Sequence, residues 1–404
     1  MKNRQVGKKI FLAFILLLLS IVVIIQLTGS TYLYKALLYN YVGIDDLNIF
    51  STRAIPNGTS QPWPIAGDFN KGKLPDSVRN EMEKLKTVAY LVIKDDSIRY
   101  EEYWDGYNEK SISNSFSMAK SFVGLLIGIA LDEGKIKSLD EPIGNYLPDF
   151  KVGQASSVTI RDLLMMSSGS NWEESYSKLI STTTEAYYGN DLEKLINKVK
   201  IVQAPGKKWD YKSGDTQMLA FILEKATGEH LADYMSKKLW SKIGTELPAQ
   251  WSLDNKDGHE KAYCCLYSSA RDFARIGKLM MDSGEWRPFG RQSMTESDSS
   301  TRKVGEQIVS KDYVRQVLTP NNLIDVEDTT SRIKIYGYHW WLMNYKQHDI
   351  FYMRGLLGQY VFVIPDERMI IVRLGKKRES VQRDHRPIEI DYLIEGALEM
   401  YGKK

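Results

Sequence analysis

Hydrophobic positions follow three patterns along this chain. The first is an unbroken run, IFLAFILLLLSIVVIIQL, at residues 10–27, which carries no charge. Eighteen such residues nearly cross a hydrocarbon core of about 30 Å. The preceding MKNRQVGKK has four basic residues and no acidic one, which predicts a cytoplasmic flank (1–9) and an anchor helix (10–27). A cleaved signal peptide is the rival reading. The run is longer than the roughly 7–15 residues usual there, and QLTGSTYLYK lacks an A-x-A site. Either way, the rest of the chain is expected outside the cytoplasm, periplasmic or at the cell surface.

The second pattern is alternation. VAYLVIKDDSIRYEEYWDGY, at 88–107, reads as a hairpin turning at Asp95-Asp96-Ser97. IFYMRGLLGQYVFVIPDERMIIVRLG, at 350–375, reads as a second hairpin turning at Pro365-Asp366. The third pattern is helical. SFSMAKSFVGLLIGIALDEG, at 115–134, is apolar on nearly every side and stops at Gly134. SVTIRDLLMMSSGSNW predicts a short helix starting at Thr159, and DTQMLAFILEKATG and SARDFARIGKLMMDSG each end at a glycine suited to a C-cap. A closing helix falls at about 386–401. Residues 28–80 show no sustained period and read as an irregular juxtamembrane linker before a domain spanning 81–404. Strands at both ends with helices between predict a two-lobed α/β fold: one antiparallel sheet built from both chain ends, flanked by helices, with a mostly helical insertion.

Composition narrows the function. With 54 basic and 51 acidic residues the net charge is only +3, and no basic stripe interleaves with aromatics, so nucleic acid is not an expected partner. The only cysteines, Cys264 and Cys265, are adjacent. Sequence neighbours seldom bridge, so they read as small buried residues. No cysteine–histidine cluster suggests a metal, and HEKAY at His259 misses H-E-x-x-H by its last residue. There is no G-x-S-x-G elbow and no phosphate loop.

One lysine stands out. Lys120 is the only charged residue between Phe116 and Asp132, three positions after Ser117. S-x-x-K by itself selects nothing, since it recurs at Ser175, Ser300 and Ser331. Only Ser117 opens an apolar helix after a hairpin. Residues i and i+3 share a helix face about 5–6 Å apart, so Lys120 can reach the hydroxyl. Burial and the positive helix end both lower lysine basicity, which suits a base acting near neutral pH. The plainer alternative makes Ser117 an N-cap and lets Lys120 snorkel to water.

Two further stretches carry chemistry. PGKKWDYKSGD, at 205–215, sets Tyr211 in a turn before a helix, where it could relay protons if a nearby cation lowered its pKa. Alternatively it simply packs. RGLLGQY, at 354–360, offers glycines for close backbone approach and strand N–H groups for an oxyanion, or else a bulge.

In order, SFSMAKS, VTIRDLLMMSSGSNW, PGKKWDYKSGD, CCLYSSARDFARIGKLMMDSGEW and GLLGQYVFVIPDERMIIVRLG resemble the serine β-lactamase-related hydrolases. That group includes class C β-lactamases, D-stereospecific peptidases, carboxylesterases and, most similar here, 6-aminohexanoate-dimer hydrolases. The resemblance implies a β-lactamase-like fold acting on a small amide or ester substrate through an acyl-enzyme, without metal or organic cofactor. It implies Ser117 as nucleophile, Lys120 as its activating partner, and Tyr211 as general base and acid of a Y-x-[NS] motif. It also implies Ser213, Tyr176, Gly355 and Gln359 as substrate contacts and the N–H groups of Ser117 and Leu356 as the oxyanion hole. The basic Lys-Thr-Gly strand of β-lactamases is missing; Lys212-Ser213-Gly214 overlaps the tyrosine turn, and Arg354 or His348 is left to supply a cation. Amide or ester hydrolysis is therefore expected over β-lactam hydrolysis. A D,D-peptidase-like cell-wall enzyme and a non-catalytic, acylatable sensor are the alternatives.

Overall fold

The computed structural model describes residues 2–289 and 305–403. The S-x-x-K match at Ser300 lies outside the described residues. In chain order the elements that place the site begin with α1 (Lys2–Thr28), α2 (Tyr32–Tyr39), β1 (Thr52–Ile55), α3 (Asp76–Lys84), β2 (Thr87–Lys94) and β3 (Ser97–Tyr103). Then come β4 (Ile112–Asn114), α4 (Ala119–Asp132), α5 (Ile160–Leu164), α6 (Thr182–Tyr188) and α7 (Ser213–Thr227). They are followed by β5 (Ala249–Ser252), β6 (Leu266–Ser269) and α8 (Ala270–Met281). The chain closes with β7 (Trp341–Tyr345), β8 (His348–Gly355), β9 (Gln359–Ile364), β10 (Met369–Gly375) and α9 (Glu389–Tyr401).

The main sheet runs β7-β8-β9-β10-β2-β3, antiparallel throughout. Its closure is the pairing of β10 with β2, which sets Val372 opposite Leu91 and so joins the two ends of the chain. The β2–β3 turn is tight because Asp95 and Asp96 both take positive φ, 50° and 59°, as a two-residue type I′ turn requires. Helices cover both faces, so the central strands are apolar on both. Leu91, Ile93, Val361 and Val363 pack in one core with α4 and α8, while Tyr90, Val92, Phe362 and Ile364 pack in another with α3 and α9. Thr159 caps α5 through a reciprocal capping box with Asp162, and Gly228 ends α7 at φ 75°.

Three expectations change. The stretch 350–375 is not one hairpin but three strands, because Leu356–Gly358 makes a turn of its own between β8 and β9. Residues 28–80 carry α2, β1 and the start of α3 between irregular stretches. Strand β1 pairs with β5 in a small sheet ordered β1-β5-β6-β4, and Tyr32 and Ala36 of α2 are buried in the core. These elements are too short to show a period in sequence; tertiary packing holds them. Finally, Cys264 and Cys265 form a disulfide. The rule that sequence neighbours seldom bridge does not hold for this pair. Cys265 takes φ 66°, which turns its side chain back toward Cys264.

Helix α1 contains one segment, Gln5–Thr28, long and apolar enough to cross a membrane, as an anchor or as a signal sequence.

Candidate active site

The site forms where the main sheet's β8–β9 edge meets the helical lobe. Phe116 stands at φ 44°, costly for a bulky residue, and its N–H is held by Asn114 Oδ1 at 2.9 Å. The Ser115 N–H is fixed by Leu266 O at 2.8 Å. A 3-10 turn, Phe116–Met118, then feeds α4, so Ser117 sits half-exposed in the first turn while Lys120 is 1% exposed. Lys120 Nζ donates to Ser117 Oγ at 3.0 Å and to Tyr263 O at 2.9 Å. Burial lowers the Lys120 pKa to about 8, against the smaller upward pull of Glu174. The ammonium does not snorkel; it is held inside.

Tyr211 lies over this pair, its ring centroid 5.1 Å from Lys120 Nζ. It is wedged in an aromatic wall, 5.7 Å from Trp341 and 6.0 Å from Tyr336 between ring centroids. Burial raises its pKa, and the nearby Ser117 hydroxyl, Arg354 and Arg378 only partly oppose that rise. The expected lowering by a cation is therefore outweighed by desolvation, and Tyr211 is a neutral phenol at physiological pH. Of the two groups, Lys120 is the one that titrates near neutrality.

Other expected residues divide by environment. Tyr176 comes close, its hydroxyl 3.4 Å from Ser213 Oγ. Ser213 is fully buried at the start of α7, its N–H and hydroxyl both held by Glu174, at 2.7 and 2.8 Å. Leu356 follows Gly355 in the β8–β9 turn, beside the nucleophile loop. Gly355 has a packing reason to be glycine: a Cβ there would lie 2.2 Å from Ser115 O. Gln359 is fully buried, with its amide spent on Leu356 O (2.9 Å), Gly375 O (2.7 Å) and Gly375 N (3.1 Å). Both are expected substrate contacts; in the fold Gly355 leaves room for Ser115 O, and the Gln359 side chain is bonded to backbone. Arg354 stacks 4.5 Å from the Trp341 ring and donates to His385 O, whereas His348 pairs with Asp366 at 2.6 Å at the far end of β8. Of these two cations, Arg354 and not His348 acts on Tyr211, together with Arg378.

Sequence reasoning missed Glu174, Arg378 and Tyr263. Glu174 accepts from Trp172 Nε1 (3.0 Å) and Ser213 while biasing Lys120. Its signal was a charged residue between the SGSNW turn and Tyr176, though Glu173 beside it looks the same.

The whole arrangement is that of an α/β fold of the β-lactamase type, with a serine–lysine pair at the head of the helix between its lobes. Comparison with known proteins agrees: the family model described as Beta-lactamase matches residues 75–393, and the chain belongs to that family. It is 25% identical over 318 residues to a 6-aminohexanoate-dimer hydrolase of Paenarthrobacter ureafaciens, covering 75% of this chain and 76% of that protein. A candidate D-alanyl-D-alanine carboxypeptidase of Escherichia coli is 26% identical over 185 residues, 39% of this chain and 42% of the relative. Among solved structures, a candidate 6-aminohexanoate-dimer hydrolase from Bacillus anthracis superposes with a TM-score of 0.71 at 21% identity, covering 88% and 91% of the two chains. This chain is therefore of a hydrolytic family.

Proposed function

We propose that the protein is an extracytoplasmic amidase or esterase, acting by two-step acyl transfer on Ser117. The observation that carries this is the 3.0 Å contact between Ser117 Oγ and a buried Lys120 whose pKa sits at about 8. Neutral Lys120 takes the Ser117 proton as Oγ bonds to the carbonyl carbon. The N–H groups of Ser117 and Leu356 hold the oxyanion. Collapse breaks the bond to the leaving amine or alcohol, which leaves protonated, the proton passing from Lys120 through neutral Tyr211. Water then attacks the acyl ester, gives a proton back along the same path, and frees Ser117 and the acid.

The detergent-solubilised full chain is expected to hydrolyse p-nitrophenyl butyrate and to be labelled at Ser117 by a fluorophosphonate. Ser117→Ala abolishes both. A wild type that neither hydrolyses the ester nor takes the label is no serine hydrolase. A second reading, a D,D-peptidase of cell-wall peptides, draws on the E. coli relative and on Arg354 and Arg378, which act on Tyr211 where a substrate carboxylate would approach. Release of D-alanine from a peptide ending in D-Ala-D-Ala would favour it.

A further inference from the structure

The apolar N-terminal helix is tied to α2, and α2 lines a cavity that Tyr176 also lines. Helix α1 ends at Gly29, at φ 68°, with the Ser30 N–H returning to Ile25 O at 3.1 Å. Helix α2 then lies against the last turns of α1. Tyr34 Oη donates to Val22 O at 3.4 Å and accepts from Gln26 Nε2 at 3.2 Å. Val22 is six residues before Thr28, about 9 Å along the axis, so α2 lies level with the end of the apolar helix. The same α2 buries Tyr32 and Ala36 in the domain core against α6. Only three residues stand between Thr28 and Tyr32, four chain steps with a reach of at most about 14 Å. The domain has no slack with which to stand away from whatever holds α1.

The surface at that junction carries a ridge of exposed apolar side chains, with Asn40 and Lys178 set among them. Leu38 is 74% exposed on α2 and Tyr41 78% just after it; Ile180, in the loop before α6, is 74% exposed. Their neighbours Leu37 and Leu179, also exposed, line a cavity of about 130 Å³ between α2 and that loop. Tyr176 lines the same cavity, and its hydroxyl is the one 3.4 Å from Ser213 Oγ. One cavity thus touches the apolar ridge on one side and the tyrosine of the candidate site on the other.

We infer that this ridge seats in the outer surface of the bilayer that holds α1, and that the Tyr176 cavity admits the acyl chain of a membrane-resident amphiphile to Ser117. The occupant is lipid because the ridge continues an apolar span and is joined to it by too short a link to face elsewhere. The substrate class is then long-chain acyl esters or amides that partition into the membrane. The chemistry rests on the acyl-transfer reading above; the seating does not.

The full chain in vesicles of phosphatidylcholine and phosphatidylglycerol (3:1) tests the two parts separately. Ile180→Cys is labelled with bimane, the native cysteines being buried in their disulfide, and is expected to lose at least half its emission to doxyl-labelled phosphatidylcholine. The same label at Asp76→Cys, on α3 across the main sheet, stays unquenched. Equal quenching at the two positions overturns the seating whether or not the protein is an enzyme. Cross-linking of two copies through position 180 in place of lipid quenching assigns the ridge to a second copy and also overturns it. For the substrate class, the Leu38→Glu/Ile180→Glu variant, changed on the ridge and not in the cavity lining, should hydrolyse vesicle-borne p-nitrophenyl palmitate about tenfold more slowly and soluble p-nitrophenyl butyrate within twofold of wild type. Equal loss on both esters, or no loss on the palmitate, removes the membrane-resident substrate. Absence of any butyrate hydrolysis by the wild type would instead remove the acyl-transfer reading and leave the quenching result standing.

Discussion

Lys120 and Lys261 are both buried without a carboxylate in ion-pair contact among the described residues, and burial lowers both, to about 8 and about 7. Both rest near aromatic rings, Lys120 beside Tyr211 and Lys261 4.9 Å from the Phe50 centroid. They differ in what they donate to. Lys261 Nζ meets only backbone carbonyls, Ala186 O at 2.9 Å and Gly189 O at 3.3 Å. Lys120 meets one carbonyl and one hydroxyl, Ser117 Oγ. A carbonyl can hold an amine but has no proton to give it. Burial therefore lowers lysine basicity at either place, and only the hydroxyl makes one of them a candidate base.

The largest expected contrast is in rate. Lys120→Ala should lower kcat/KM for p-nitrophenyl butyrate by about 10³-fold, in line with loss of a general base, while Lys261→Met leaves it within about threefold. Comparable losses in both variants would mean that burial, not the hydroxyl, is what matters. The next effect is on stability. Both lysines have folded pKa values below the ordinary 10.5, so between about 8 and 10.5 the unfolded chain binds more protons and stability rises with pH. Each contributes at most about 1.4 kcal/mol per pH unit in that window, and Lys261 extends its share down to about pH 7. Urea midpoints at pH 7.5, 8.5 and 9.5 should climb more shallowly in Lys261→Met than in wild type. An unchanged slope would show that Lys261 keeps its proton when folded. The smallest effect concerns Glu174, which pulls the Lys120 pKa upward. The rising limb of kcat/KM is expected near pH 8, and Glu174→Gln should move it to lower pH. Movement to higher pH would exclude Glu174 as a charge acting on Lys120.

Much of this was readable before any coordinates, because it depended on local spacing. Ser117 and Lys120 share a face by helical geometry, and an apolar helix leaves the lysine no polar side to reach. Tyr211 was placed by a turn immediately before a helix. What escaped depended on long-range partners. The glycine at 355 announced a close approach, but nothing in RGLLGQY tells that the approaching group is Ser115 O and not a substrate. Gln359 is polar in a strand, which reads as a contact for a ligand until β10 supplies Gly375 as its partner. Glu173 and Glu174 are indistinguishable by sequence; the fold points one outward to Lys178 and the other inward to Ser213. The 28–80 segment looked irregular because its order comes from β5 and the helical lobe rather than from its own pattern.

The disulfide between Cys264 and Cys265 sits between the two carbonyls that fix the site: Tyr263 O receives Lys120, and Leu266 O receives the Ser115 N–H. Both cysteines have no solvent exposure. A small thiol in solution can reduce them only when this part of the core opens, so the reduction rate in the folded protein counts openings. The cysteine pair is in effect a clock for how often the floor beneath Ser117 and Lys120 comes apart.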